Sequence, residues 1–228
     1  MRASVFFLLL IITVTPAFSA NKSASPQIEV EEPFWDYGFV PFDYNMVHFF
    51  TVKNTGDANL KIEKVGSNCD CTTARAYKMD LSPGESTLIR LDFWTTDYYG
   101  SNVREITIES NDPLNPILQL EYGSNIGALP AAYIAEPKSL FFLPSHQEKV
   151  ITLHNKSPKA VDYEIRLEAD SLLNLDVLKG EIKSGEAVPV KVAISDRAGK
   201  GTTYTSFNIR FDGEKPIRTT VPVKIVRY

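Results

Sequence analysis

The sequence predicts an all-β protein made of two similar antiparallel β-sandwiches in tandem. Three observations lead there. Apolar and polar residues alternate with period two in ten short runs: "HFFTVKN", "LKIEKV", "STLIRLDF", "VREITIES" and "ILQLEYG", then "EKVITLHN", "VDYEIRL", "VPVKVAI", "SFNIRF" and "VPVKIVRY". Such runs, rich in β-branched and aromatic residues, suit strands with one buried face. Turn formers separate them, among them Asn54-Thr55-Gly56-Asp57, Ser82-Pro83-Gly84-Glu85, Asn111-Asp112-Pro113 and Lys183-Ser184-Gly185-Glu186. Finally, the chain repeats itself: Asn54 aligns with Asn155 and Gly84-Glu85 with Gly185-Glu186 at one shared offset of 101 residues, each pair flanked by matching strands. Two landmarks at one offset indicate a tandem duplication, each copy of a size usual for a sandwich of about seven strands.

The N-terminus reads as a signal peptide on residues 1–19. Met1-Arg2 supplies a positive start, "VFFLLLIITVT" an apolar run too short to span a bilayer, and "PAFSA" the small residues of a cleavage site, placed after Ser19. A periplasmic or secreted, oxidising location is the expectation, with no membrane insertion after cleavage. A first sandwich is then expected over residues 27–127. The Ala- and Pro-rich stretch "GALPAAYIAEPKS" supplies a linker and first strand at 128–139, and a second sandwich covers 133–228. The stretch "DSLLNLDVLK" is ambiguous and is assigned as strand.

Composition narrows the function. The chain carries 24 basic and 28 acidic residues for a net charge of −4, with no basic stripe, so nucleic acid is not an expected partner. With 2 cysteines in 228 residues, apolar cores must hold the domains together. The 3 histidines fall in no His-Glu-x-x-His arrangement, and there is no Gly-x-Ser-x-Gly elbow or phosphate-cradling glycine loop. An enzyme is therefore not expected, thiol-disulfide exchange being the one enzymatic alternative.

The first half also carries a family pattern. "WDYGFVPFDYN", the Asn-Thr-Gly turn, the Cys-x-Cys-Thr segment "CDCTT", the Pro-Gly turn of "LSPGES" and the Asn-Asp-Pro of "SNDPLNP" occur in order. Over residues 34–127 this resembles the bacterial family catalogued as domain of unknown function 1573. The resemblance implies an immunoglobulin-like sandwich related to the ASPM–SPD-2–hydin and major-sperm-protein group, and so two tandem immunoglobulin-like sandwiches with the second half a diverged copy. The family usually has Gly between the cysteines, where this chain has Asp70.

"SNCDCTT" is the most specific local feature. In an extended strand the Cys69 and Cys71 α-carbons would lie about 6.6 Å apart, near the upper limit for a disulfide, whereas a turn would bring them closer. Three readings follow. The plainest is structural: two small sulfur side chains packed under the sandwich end, whether or not bonded to each other. A second is a labile dithiol that exchanges disulfides. A third is a soft-metal site for copper, with Met46, His48 and Met79 as further ligands, Met46 and His48 sharing one strand face by period two.

The function expected from all this is an exported, non-enzymatic binding or scaffold protein of the bacterial envelope, without a cofactor. Its partner would be a protein in the envelope or at the cell surface. Trp94, Tyr98 and Tyr99 of "FWTTDYYGSN" are the candidate anchors, because amphipathic aromatics on a loop favour protein contacts. The alternative is a periplasmic copper-binding or thiol-disulfide protein using the Cys-Asp-Cys pair.

Overall fold

The computed structural model describes residues 24–96 and 98–228; the expected signal peptide at 1–19 lies outside them. The first half holds β1 (Ile28–Val30), β2 (Phe34–Val40), β3 (Asn45–Asn54), β4 (Leu60–Ser67), β5 (Thr72–Ala76), β6 (Asp80–Leu81), β7 (Ser86–Trp94), β8 (Gly100–Ser110) and β9 (Ile117–Ile126). The second holds β10 (Tyr133–Glu136), β11 (Leu140–Phe142), β12 (Glu148–Asn155), β13 (Val161–Leu167), β14 (Leu173–Leu175), β15 (Lys179–Ile182), β16 (Ala187–Ile194), β17 (Gly201–Phe211) and β18 (Ile217–Arg227). The protein is all-β and built of immunoglobulin-like sandwiches. Among the described residues no helix is long and apolar enough to cross a membrane. Within "DSLLNLDVLK", Leu173–Leu175 and the final residue Lys179, which opens β15, are regular strand; Leu172 and Leu173 are buried.

Each half encloses its own core. In the first, the sheet β1-β3-β7-β5 supplies Met46, Phe50, Ile89, Leu91 and Phe93, and β2, β8 and β9 supply Trp35, Tyr37, Ile106, Leu120 and Tyr122. In the second, β10-β12-β16-β14 contributes Ile151, Leu153, Val190 and Val192 against Ile165, Phe207, Ile209 and Val223. The alternation seen in the sequence is this inward and outward pleat. The remaining sheets of the two halves join: β18 pairs parallel with β2 at Thr219 and Phe39, giving one ten-stranded sheet. Gly38 makes that approach possible. Its φ is +65° and a Cβ there would lie 2.0 Å from the Arg218 carbonyl oxygen, so a side chain is excluded on both counts.

The duplication is reproduced at the two asparagines, where three side-chain hydrogen bonds recur, Asn54 Oδ1 alone also accepting from Gln27 N–H. Asn54 is fully buried; its Nδ2 donates to the carbonyls of Ala58 (2.8 Å) and Leu81 (3.0 Å), and its Oδ1 accepts from Gly56 N–H (3.0 Å). Asn155 does the same with Lys159 (2.7 Å), Ile182 (2.9 Å) and Ser157 (2.9 Å). Backbone pairs repeat as well, Asn54 N–H to Glu85 O and Gly84 N–H to Asn54 O being matched by Asn155 to Glu186 and Gly185 to Asn155. One amide side chain thus fastens the turn that follows it to a strand entry distant in sequence. Asp112 of Asn-Asp-Pro plays a related part in the first half. Its buried carboxylate accepts from the N–H groups of Ile28, Leu114 and Asn115; burial works to raise its pKa, but these donors hold it below the ordinary value.

The seam between the halves is polar and buried. β1 covers only Val52–Asn54 of β3, leaving the rest of that edge open, and the second half closes it. Glu168, just past β13, accepts from Phe49 N–H at 3.2 Å and meets His48 Nδ1 at 3.1 Å. The His48 ring is stacked on Trp35, centroids 3.8 Å apart. Ser206 Oγ donates to Val47 O, Thr220 Oγ1 to Tyr37 O (2.7 Å), and Arg90 Nη2 to Tyr204 O (2.9 Å) while the Arg90 guanidinium also grips Asp92.

Two outcomes are expected. Replacing Asn54 or Asn155 by Ala should each cost about 2–4 kcal/mol, since buried carbonyls lose their donors; denaturant unfolding of each variant reads it. Burial raises the Glu168 pKa above 4.5, against the pull of His48, so the folded state holds this proton more tightly than the unfolded chain does. Its contribution is complete below about pH 4.5 and is lost as pH rises through the raised folded value. Melting of Glu168→Gln followed against pH should lack that decline, and a variant with the wild-type slope would show that another group causes it.

Candidate functional site

The loop Asn68–Cys71 crosses from β4, which β6 flanks only at Leu60 and Lys61, to β5, the edge strand of the facing sheet. Ser67 and Asn68 start a tight turn, as short polar side chains favour. Ser67 Oγ accepts from Cys69 N–H (3.2 Å), Cys69 O accepts from Thr72 N–H (3.1 Å), and Cys71 O accepts from Trp94 N–H (2.9 Å). The turn brings the two α-carbons to 5.2 Å, and Cys69 and Cys71 are bonded as a disulfide. Cys71 backs onto the first core. Thr72 points inward and is hydrogen-bonded to the Tyr122 hydroxyl, whose pKa is raised by burial.

Cys69 faces an open cleft of about 1060 Å³ lined by Asp70, Trp94, Tyr98, Val103, Arg104, Glu105 and Glu121 among others. Arg104 Nη1 donates to Cys69 Sγ at 3.3 Å, and the backbone N–H of Cys71 donates to the same sulfur at 3.2 Å. The Arg104 guanidinium lies 3.8 Å above the Tyr98 ring and 5.8 Å from that of Phe93, stacking that fixes the cation in place. Tyr98 OH is 3.9 Å from the same sulfur. Glu105 and Glu121 stand directly opposite each other in the β8–β9 ladder. Like charges in register destabilise a sheet pair, and with Asp70 they make the cleft mouth acidic.

The expected residues therefore separate. Cys69, Cys71, Trp94 and Tyr98 come together. Tyr99 lies apart, stacked on Phe42 with centroids 4.5 Å away and beside Gly127. Met46 is fully buried in the first core, and His48 is engaged by Glu168 and Trp35 at the seam. Met79 is partly exposed beyond β5, its carbonyl accepting from Ile62 N–H. The proposed copper ligands are thus not gathered with the sulfurs, which are bonded to each other. Trp94 also packs edge-on against Tyr204 of the second half at 5.7 Å. Arg104, Glu105 and Glu121 escaped the sequence reading, because only the register of β8 against β9 places them beneath the Cys loop.

The family model described as protein of unknown function (DUF1573) matches residues 28–123. No curated protein matches the chain. Among solved structures, a protein of unknown function from Porphyromonas gingivalis W83 is 14% identical with a TM-score of 0.35, over 86% of this chain and 99% of that one. The CupB2 chaperone of Pseudomonas aeruginosa is 11% identical, TM-score 0.33, over 85% and 98%. For the E. coli chaperone DraB the identity is 5% and the TM-score 0.37, over 42% of this chain and 55% of that one, so the match spans about half of DraB. None of these likenesses reaches to function.

A bridge that closes so short a loop removes little freedom from the unfolded chain. Cys69→Ser with Cys71→Ser should lower stability by about 1–2 kcal/mol, read by melting. A collapse of the fold instead would mean that the bridge holds the sandwich end together.

Proposed function

We propose that the protein is an exported binding or scaffold module of the bacterial envelope that holds an extended, basic segment of a partner protein in the cleft beside Cys69–Cys71. The observation that carries this reading is the lining: exposed Trp94 and Tyr98 and the apolar Val103 stand beside the carboxylates of Asp70, Glu105 and Glu121. Aromatic side chains with an apolar body and a polar tip supply most of the contact energy in protein interfaces. Acidic groups around them speed the approach of basic partners and reject acidic ones. The edge strand β5 flanks the loop, so an extended segment also finds unpaired backbone beside the cleft. Export is supported by the composition of residues 1–19 and agrees with a disulfide in the mature chain.

Fluorescence anisotropy with an extended peptide of alternating Lys and apolar residues tests the reading. Tyr98→Ala, and separately Glu105→Gln with Glu121→Gln, should each weaken binding roughly tenfold, equivalent to about 1.4 kcal/mol, with melting unchanged within a few degrees. Equal binding of a Glu-for-Lys peptide, or wild-type affinity in both variants, would refute the assignment.

A further inference from the structure

We infer that the Cys69–Cys71 bridge exchanges with the thiols of the segment docked in this cleft, Cys69 being the sulfur that bonds to the partner and Arg104 the group that stabilises it as a thiolate. The inference rests on the docking reading above and adds the partner's chemical class: a polypeptide with two cysteines close in sequence.

Geometry assigns the roles. Cys69 Sγ receives both the Arg104 guanidinium (3.3 Å) and the Cys71 backbone N–H (3.2 Å). A cation and a fixed amide dipole on one sulfur favour its charged form, the arrangement that makes cysteines reactive. Cys71 has no such pair of donors; it lies against the core, near the Thr72 hydroxyl at 3.4 Å. Both sulfurs line the cleft, so the two donors, and not access, single out Cys69 as the sulfur that leaves best as a thiolate. Stabilising the thiolate also stabilises the reduced pair, which makes the bridge the better oxidant of a partner dithiol.

The exchange balances as follows. A partner thiol gives its proton to solvent and the thiolate attacks Cys69 Sγ. The Cys69–Cys71 bond breaks and Cys71 leaves as a thiolate, forming a mixed disulfide between the partner and Cys69. The Cys71 thiolate takes the proton of the partner's second thiol. That second sulfur then attacks the first, and Cys69 departs as a thiolate held by Arg104. Two electrons have passed from the partner dithiol to the bridge: the partner gains a disulfide, and the protein holds a Cys71 thiol and a Cys69 thiolate. This is a single exchange, with the partner dithiol as the only reductant.

Three measurements test it on the full mature chain. First, dithiothreitol, which needs no docking, reads the chemistry of the bridge alone: Arg104→Gln should slow opening of the mixed disulfide and raise the pH at which Cys69 is alkylated in Cys71→Ser, by about one unit, while Arg104→Lys restores most of the effect. Second, Cys71→Ser mixed with a basic peptide carrying an internal disulfide should accumulate a mixed disulfide at Cys69, by mass spectrometry, at least tenfold more than Cys69→Ser does at Cys71. Third, the reduced peptide should be oxidised by the wild-type bridge with one disulfide gained per bridge opened, and a Ser-for-Cys peptide should bind without reacting. A bridge that stays closed while the Ser peptide binds overturns the exchange and leaves docking standing. Exchange with dithiothreitol that depends on Arg104, together with no binding of the Ser peptide, overturns the docking and the partner class. Equal trapping at either cysteine, or no effect of Arg104→Gln, overturns the roles given to Cys69 and Arg104.

Discussion

The uncovered edge of β3 is the constraint around which the two halves are organised. A strand interior to a sheet must find partners for its backbone on both sides, and β1 reaches only the last three residues of this one. Phe49 N–H and Val47 O would otherwise be buried and unpaired. Glu168 and Ser206, both from the second half, answer them. Such groups carry a high cost when unmet and little net gain when met, so the seam selects one geometry more than it adds stability. It follows that neither half presents its complete surface alone.

Inside this frame the two copies have kept their fastening and lost their likeness elsewhere. Asn54 and Asn155 perform the same buried hydrogen bonding at the same offset, which requires an amide and tolerates almost nothing else: it must donate twice and accept once. The surroundings are freer. Gly56 of the first copy lies under the N-terminal segment, where a Cβ would meet Ser25 O at 2.2 Å, whereas the second copy has Ser157 there. The Cys loop, the acidic pair and Asp112 belong to the first copy alone. The candidate site thus sits on one copy, and the other supplies the closing edge.

The strands were legible because one buried face imposes alternation, and the turns because Gly, Pro and Asn declare themselves. The break in the pattern was equally informative. In β3, Asn45 to Phe50 are all buried, so "NMVHFF" does not alternate: one face meets the first core and the other lies near the second half. His48 looks from sequence like a polar residue entering a strand and a ligand candidate; it is held by an acid 120 residues away, a distance no local pattern encodes. Cys69 and Cys71 announced themselves by spacing, but Arg104 did not, since a lone Arg on an alternating strand is ordinary until register places it under the loop. The aromatic-Gly opening was visible as a pattern, while its reason, the contact of Gly38 with Arg218 O, belongs to tertiary structure.

The position of β18 bears on how the molecule is made. It is the last strand along the chain, yet it lies between β17 and β2 and also receives β11. A polypeptide emerging N-terminus first can close its first core early, and Glu168 and Ser206 are made before β18, but β2 keeps a bare flank until that 11-residue strand arrives. Half-made chains with bare strand edges are the species that stick to one another. The interval between the first core and the last strand is therefore the vulnerable stage in the life of this protein, and a break in synthesis just short of Ile217 would strand it there.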